Sequence, residues 1–180
     1  MTVKTFTNEQ LTAADVNVFL ANAGLVYVSS TTVGSGVTSV TVSNCFSSTY
    51  NNYRLVFSNI TGTVSNSPWQ IQFNNSTGST YKSTSAYLVY GSTGFYAYAP
   101  STTTVARVGW SDTTSDMNLV VDIISPNLSA MTTWSSQGAN QTITYQSAGI
   151  DTNAAAQTGF TMTGDTFTGG LILCYGYRKA

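Results

Sequence analysis

The chain has 180 residues, enough for one domain with a sizeable core. Only 7% of its residues are charged and its net charge is -1, whereas an average soluble domain has about 25% charged residues. The six lysines and arginines are scattered along the sequence, so they form no basic stripe for a nucleic-acid backbone. Polarity comes instead from serine and threonine, which together exceed a quarter of the chain.

The first elements in chain order predict a helical arm. Thr12 and Asp15 indicate a helix start, since a threonine hydroxyl can accept a hydrogen bond from the amide of the third helical residue. Gly24 supplies a left-handed stop, so we predict a helix over residues 13–23. Four apolar residues at i, i+3, i+4 and i+7 form one stripe on this helix: Val16, Phe19, Leu20 and Ala23. A helix of three turns is unstable alone, so we expect residues 1–24 to anchor or trimerise the protein through this stripe.

Short runs of alternating apolar and polar residues follow Gly24, separated by clusters of Ser, Thr, Asn and Gly. They predict about ten strands at the spacing of an antiparallel β-sandwich, with a jelly roll as the first choice. The run from Tyr50 to Ile60 is typical, because Tyr53, Leu55 and Phe57 share one face. We therefore expect residues 25–180 to form one β-domain.

Two of the predicted strands carry bulky apolar residues on both faces. They are Met117 to Ile124 and Leu171 to Tyr175. A strand that is apolar on both faces lies at the centre of a sheet or contacts a partner chain. The sequence leaves both interpretations open.

The sequence contains no histidine, the usual general base and a common metal ligand, which excludes serine-histidine catalysis. A glycosidase would need two facing carboxylates, and the nearest pair in the β-domain is Asp112 and Asp116. Their loop lacks the glycine and the final glutamate of an EF-hand calcium loop, so we interpret it as a solvated turn and keep calcium binding as the alternative. We expect a protein that is not an enzyme and has no cofactor or metal.

The cysteines bear on the redox state of the chain, and the N-terminal region and the apolar segments bear on its targeting. Cys45 and Cys174 form no C-x-x-C pair, so we predict two buried reduced thiols and keep a disulfide as the alternative. The first twenty residues lack a basic start followed by an apolar core, so we expect the mature chain to begin at Met1. No segment reaches the ~18 to 20 apolar residues of a membrane span, so we expect no membrane insertion.

Tyrosine is abundant, with eleven residues in the chain. Four of them fall close together: Tyr87, Tyr90, Tyr96 and Tyr98. Three roles remain open for these rings: filling the core, forming a subunit interface, or stacking on the apolar faces of a bound glycan.

Two parts of the sequence resemble virion proteins of tailed bacteriophages. The segment from Phe6 to Leu20, which contains LTAADVN, is similar to the short arm that opens many of these proteins. The β-domain resembles the jelly rolls of phage fibre, minor tail and capsid-decoration proteins at four places: Tyr50 to Ile60, Trp69 to Phe73, Gly78 to Tyr81, and Thr168 to Arg178. The sequence departs from the commoner closing strand in having Cys174.

The resemblance implies a structural protein of the virion surface, assembled in the host cytoplasm and usually homotrimeric. Its partners would be the major capsid proteins or the tail proteins. The location on the head or on the tail of the virion stays open. The alternative function is that of a host-receptor or glycan-binding module of a tail fibre. The resemblance implies no catalytic residues.

Overall fold

The structure, a computed structural model, describes residues 24–65, 67–111, 113 and 115–178. These residues form an all-β fold of antiparallel strands, which confirms the predicted class. The predicted helix over residues 13–23, with Val16, Phe19, Leu20 and Ala23, lies outside the described residues. The strands are β1 (Leu25–Thr32), β2 (Val37–Val42), β3 (Asn52–Gly62), β4 (Pro68–Phe73), β5 (Tyr81–Val89), β6 (Phe95–Tyr98), β7 (Ala106–Trp110), β8 (Met117–Ile124), β9 (Thr132–Ala139), β10 (Ile143–Asp151) and β11 (Phe160–Tyr177).

The long strand β11 organises the sheet. Its first part pairs with β2 and β4, and its last part pairs with β1 and β3. As a result β1 and β2 lie end to end along one side of β11, and β3 and β4 lie end to end along the other. The pairing registers shift between Thr163 and Leu171, where Gly169 and Gly170 have φ values of 156° and 125°. A side chain at Gly170 would meet the backbone oxygen of Asn59 at 2.9 Å, so this bend requires glycine.

The other strands continue the sheet beside β3 and beside β4. Next to β3 come β8, β9, β10, β5 and finally β6, while β7 pairs with β4. The sheet curves as a half-barrel, so that β7 contacts β10, β5 and β9 across the interior. A bridge between Tyr81 and Thr103 connects the start of β5 to the segment that leads into β7. The predicted strand at residues 117–124 is therefore central, between β3 and β9.

The core lies inside this curve. Tyr53, Leu55 and Phe57 of β3 are fully buried, as their alternation predicted. Phe46, from the connection between β2 and β3, packs on Tyr53 with ring centroids 4.9 Å apart and also contacts Phe73 and Phe160. Burying each such side chain contributes about 1.5 to 3 kcal/mol, so the aromatic interior is the main source of stability.

Cys45 and Cys174 are both buried free thiols. The Cys174 thiol donates to the backbone oxygen of Cys45 over 3.7 Å. The adjacent Cys174 side chain, together with burial, raises the pKa of Cys45, so this thiol stays protonated and unreactive in the folded chain. In the part of the chain that the structure describes, no helix is long and apolar enough to cross a membrane.

Candidate functional site

The hairpin of β5 and β6 lies at one edge of the sheet and carries the tyrosines that the sequence analysis singled out. Tyr87 pairs with Tyr96, and Leu88 pairs with Phe95. Because side chains alternate along a strand, the hairpin has two different faces. We call the face with Tyr87, Tyr96 and Tyr98 the tyrosine face. We call the depression on the opposite, outer face of β5, β10, β9 and β8 the groove.

The tyrosine face is an aromatic stack held by a cation. The rings of Tyr87 and Tyr96 lie 4.7 Å apart and nearly parallel, and Trp110 of β7 contacts Tyr87 at 5.3 Å. The guanidinium of Arg107 lies 4.0 Å from the ring centre of Tyr98 and 4.9 Å from that of Trp110. Each cation-π contact of this kind stabilises by about 0.5 to 1 kcal/mol at an exposed site. The stack therefore fixes the hairpin against β7.

The structure thus brings three of the four predicted tyrosines together. Tyr90 follows the last residue of β5 and is exposed. Tyr87 has Tyr96 on one side and Trp110 on another, so it has little free surface for a sugar ring. Tyr96 and Tyr98 remain about half exposed, at 50% and 46%. This arrangement suits a flat contact with another protein surface better than a pocket.

The groove has a volume of about 740 Å³, within the usual range of ligand sites. Strand register brings Thr84, Ala148 and Ser135 into one row across β5, β10 and β9. A second row runs from Ala86 through Gln146 to Gln137. Both rows line the groove: Thr84, Ala86, Ser135, Gln137, Gln146 and Ala148. The sequence analysis missed this site because these small polar residues carry no signal until the register places them side by side.

An ion pair forms one end of the groove. Nε and Nη2 of Arg54 each donate to a carboxylate oxygen of Asp122 over 2.7 Å, and the hydroxyl of Tyr177 donates to the same carboxylate over 2.6 Å. The hydrogen bonds from Arg54 lower the pKa of Asp122, with a smaller contribution from Tyr177. The carboxylate is therefore ionised at neutral pH and fixed in place by three donors.

The described residues contain no group of three or more Cys, Asp and Glu side chains that could hold a metal ion. Asp116 accepts a hydrogen bond from the hydroxyl of Thr61, while Asp112 lies outside the described residues. The proposed alternative of calcium binding by this pair therefore stays a prediction.

Comparison with models of protein families, with curated proteins and with solved structures found no match to this chain. Two surfaces of the described residues are candidates for a functional contact. They are the tyrosine face with its exposed rings, and the groove on the opposite side of the same hairpin.

Proposed function

We propose that the protein is a structural component of a bacteriophage virion, a homotrimer with a jelly-roll-like β-domain that decorates the capsid or forms a short tail appendage. The phage assignment is supported by the resemblance of the segment from Phe6 to Leu20 and of the closing strand. The β-domain would face outward, and the arm would contact the major capsid or tail proteins.

The exposed apolar surface of the β5 and β6 hairpin is the observation that carries this proposal. Its tyrosine face carries large rings in contact with solvent, and Tyr96 and Tyr98 are about half exposed. An exposed patch of aromatic residues on one face is typical of a protein interface.

The low charge of the chain supports the same conclusion. A net charge of -1 gives little repulsion between free monomers and therefore poor colloidal stability. An assembly that buries the aromatic patch removes this disadvantage. In a closed cyclic trimer, the patch of each subunit would contact a different surface of its neighbour, so all three patches would be buried.

Light scattering on the purified chain tests the oligomeric state. We expect a mass three times the chain mass of 19.1 kDa. Tyr96→Asp should reduce it to the monomer mass, because a charge would be placed in the buried interface. Thr41→Asp, at an exposed position on β2, is the matched control and should leave the trimer intact. A monomeric parent protein would contradict the trimer.

The same proposal assigns the arm an anchoring role. Phe19→Asp with Leu20→Asp should abolish incorporation into virus particles, because charges would interrupt the apolar stripe. Particles that still contain the double variant at the parent level would contradict this role.

A further inference from the structure

We propose that the groove binds a neutral oligosaccharide. The site lies on the face of the hairpin opposite to Tyr87 and Tyr96, and of the tyrosine face it includes only Tyr98. Its floor consists of side chains on β5, β10 and β9, and its ends are formed by Phe95 and by the pair of Arg54 and Asp122.

The shape of the floor admits a ligand close to the sheet. Ala86, Ala148 and Ser135 are among the smallest side chains, and they occupy neighbouring positions on adjacent strands. Larger groups stand at both ends of the groove. A ligand in contact with the floor would therefore lie across the strands, between Phe95 and Arg54.

The polar groups of the floor match hydroxyl groups. Gln146 and Gln137 are directly paired across β10 and β9, and both are exposed. Each amide has two donors and an acceptor oxygen, so two neighbouring amides can bind adjacent hydroxyls of a sugar. The hydroxyls of Ser135 and Thr84 lie in the neighbouring row and provide further donors and acceptors.

The electrostatics select against a charged ligand. The cation in the lining, Arg54, is bound to Asp122 by two charge-assisted hydrogen bonds, and the two charges cancel. An acidic ligand would have to compete with that carboxylate for the guanidinium. A neutral sugar can instead accept from the remaining nitrogen, Nη1, without disturbing the pair.

Phe95 provides the apolar contact. It is 63% exposed and lines the groove, and an aromatic ring is a suitable surface for the C-H groups of a sugar. A ligand consisting only of alkyl chains is disfavoured, because it would leave the amides of Gln137 and Gln146 without partners.

A strand from a second protein chain is a poorer fit. The groove lies over β5, β10 and β9, and β10 and β9 are hydrogen-bonded to neighbours on both sides. Backbone pairing of the kind that adds a strand to a sheet edge is therefore unavailable there. The occupant must be bound by side chains.

An array of neutral and acidic glycans, probed with the full chain, tests the proposal, and ligand-detected NMR with the neutral oligosaccharides that bind measures their affinity. We expect neutral glycans to bind and acidic ones to bind more weakly. Gln137→Ala and Gln146→Ala should each weaken binding by about tenfold, the cost of about one hydrogen bond. Gln141→Ala, an exposed glutamine outside the groove, is the matched control and should have no effect.

Ala148→Phe should block the groove by filling its floor. Its thermal unfolding is measured beside its binding, and the two glutamine variants keep the test decisive if this variant is unstable. Three results would overturn the proposal: no binding by any neutral glycan on the array, stronger binding of acidic glycans, or dissociation of the trimer by Gln146→Ala, which would make the groove a subunit interface. A trimer without glycan binding would leave the proposed structural function intact.

Discussion

At the scale of single residues, two partly buried arginines of the described chain have specific partners. Arg54 is bound to Asp122, and Arg107 lies over the rings of Tyr98 and Trp110. A partly buried cation without a partner costs free energy, and the carboxylate and the rings compensate for this cost at Arg54 and Arg107. The loss of one partner should therefore be measurable.

Asp122→Asn tests this for the ion pair. The pKa of Asp122 is below its ordinary value of 3.8, so the carboxylate stabilises the fold above that pH, and this contribution disappears as the pH falls through the lower pKa of the native state. We expect the variant to be about 1 kcal/mol less stable at neutral pH, a value that allows for solvent screening of a partly exposed pair. The difference should decrease at acidic pH, below 3.8.

Urea unfolding of the variant and the parent at neutral and at acidic pH measures this difference in stability. In a double-mutant cycle, Asp122→Asn should cost much less when Arg54 is already replaced by Gln. A cost that is the same at both pH values, or the same in both backgrounds, would show that the ion pair does not stabilise the fold.

At the scale of strands, the sequence predicted those whose inner face is apolar. In β3, every second side chain from Tyr53 to Phe57 is buried, and the alternation alone was sufficient. The alternation predicts a strand only from Tyr87 to Tyr90, and it misses the start of β5 because the buried positions there include Ser83 and Ser85, which carry no apolar signal. It also predicts two strands, Gly159 to Met162 and Leu171 to Tyr177, where the structure has the single strand β11. Gly169 and Gly170 look like a turn in the sequence but form a bend within that strand.

The site was predicted only in part for the same reason. Aromatic residues are visible in a sequence, so the tyrosine face could be proposed from Tyr87, Tyr96 and Tyr98. The groove depends on which residues lie opposite one another on strands that are distant in the chain. Pairing between Ala86 and Gln146 is set by the whole sheet, and no local pattern encodes it.

Two buried tyrosines connect the start of a strand to the preceding segment through hydrogen bonds of their hydroxyls. The hydroxyl of Tyr81 accepts from the amide of Phe73 and donates to the carbonyl of Ser76, both over 2.9 Å. Tyr53 makes the same pair of bonds with the amide and carbonyl of Ser47. In each case one phenol satisfies two backbone groups that would otherwise lack partners, so it fixes the start of a strand against the preceding segment.

Tyr81→Phe should destabilise the fold by about 1 to 3 kcal/mol, because two backbone groups of a buried turn lose their partner. Burial raises the pKa of Tyr81 from 10.0 to about 12. Its neutral form therefore stabilises the fold below about pH 10, and this contribution is lost as the pH rises through about 12. Thermal unfolding at neutral and alkaline pH measures both effects. Tyr90→Phe, at an exposed position, is the control and should match the parent in stability. If Tyr81→Phe is as stable as the parent, the two hydrogen bonds of the hydroxyl do not stabilise the fold.

At the scale of the whole molecule, the order of strands in space differs from their order in the chain. The last strand, β11, lies inside the sheet and pairs with β1, β2, β3 and β4. Strands β1 and β2 therefore have β11 as their one partner in the sheet, and β3 and β4 obtain their second partner from it. Such long-range pairing costs loop-closure entropy before it is rewarded, so we expect folding in milliseconds to seconds.

Removal of residues 171–180 tests this dependence. The truncated chain would leave β1 without its partner and β3 with only β8 from Asn52 to Ser58, and it would expose the interior that Ile172 and Cys174 cover. We expect the truncated chain to lose cooperative unfolding, which circular dichroism and limited proteolysis measure. A control that ends at Arg178 keeps the hydrogen bond from the Arg178 amide to the carbonyl of Gly24 and should unfold like the parent. A truncated chain that still unfolds cooperatively at the parent midpoint would show that the fold does not depend on its last strand.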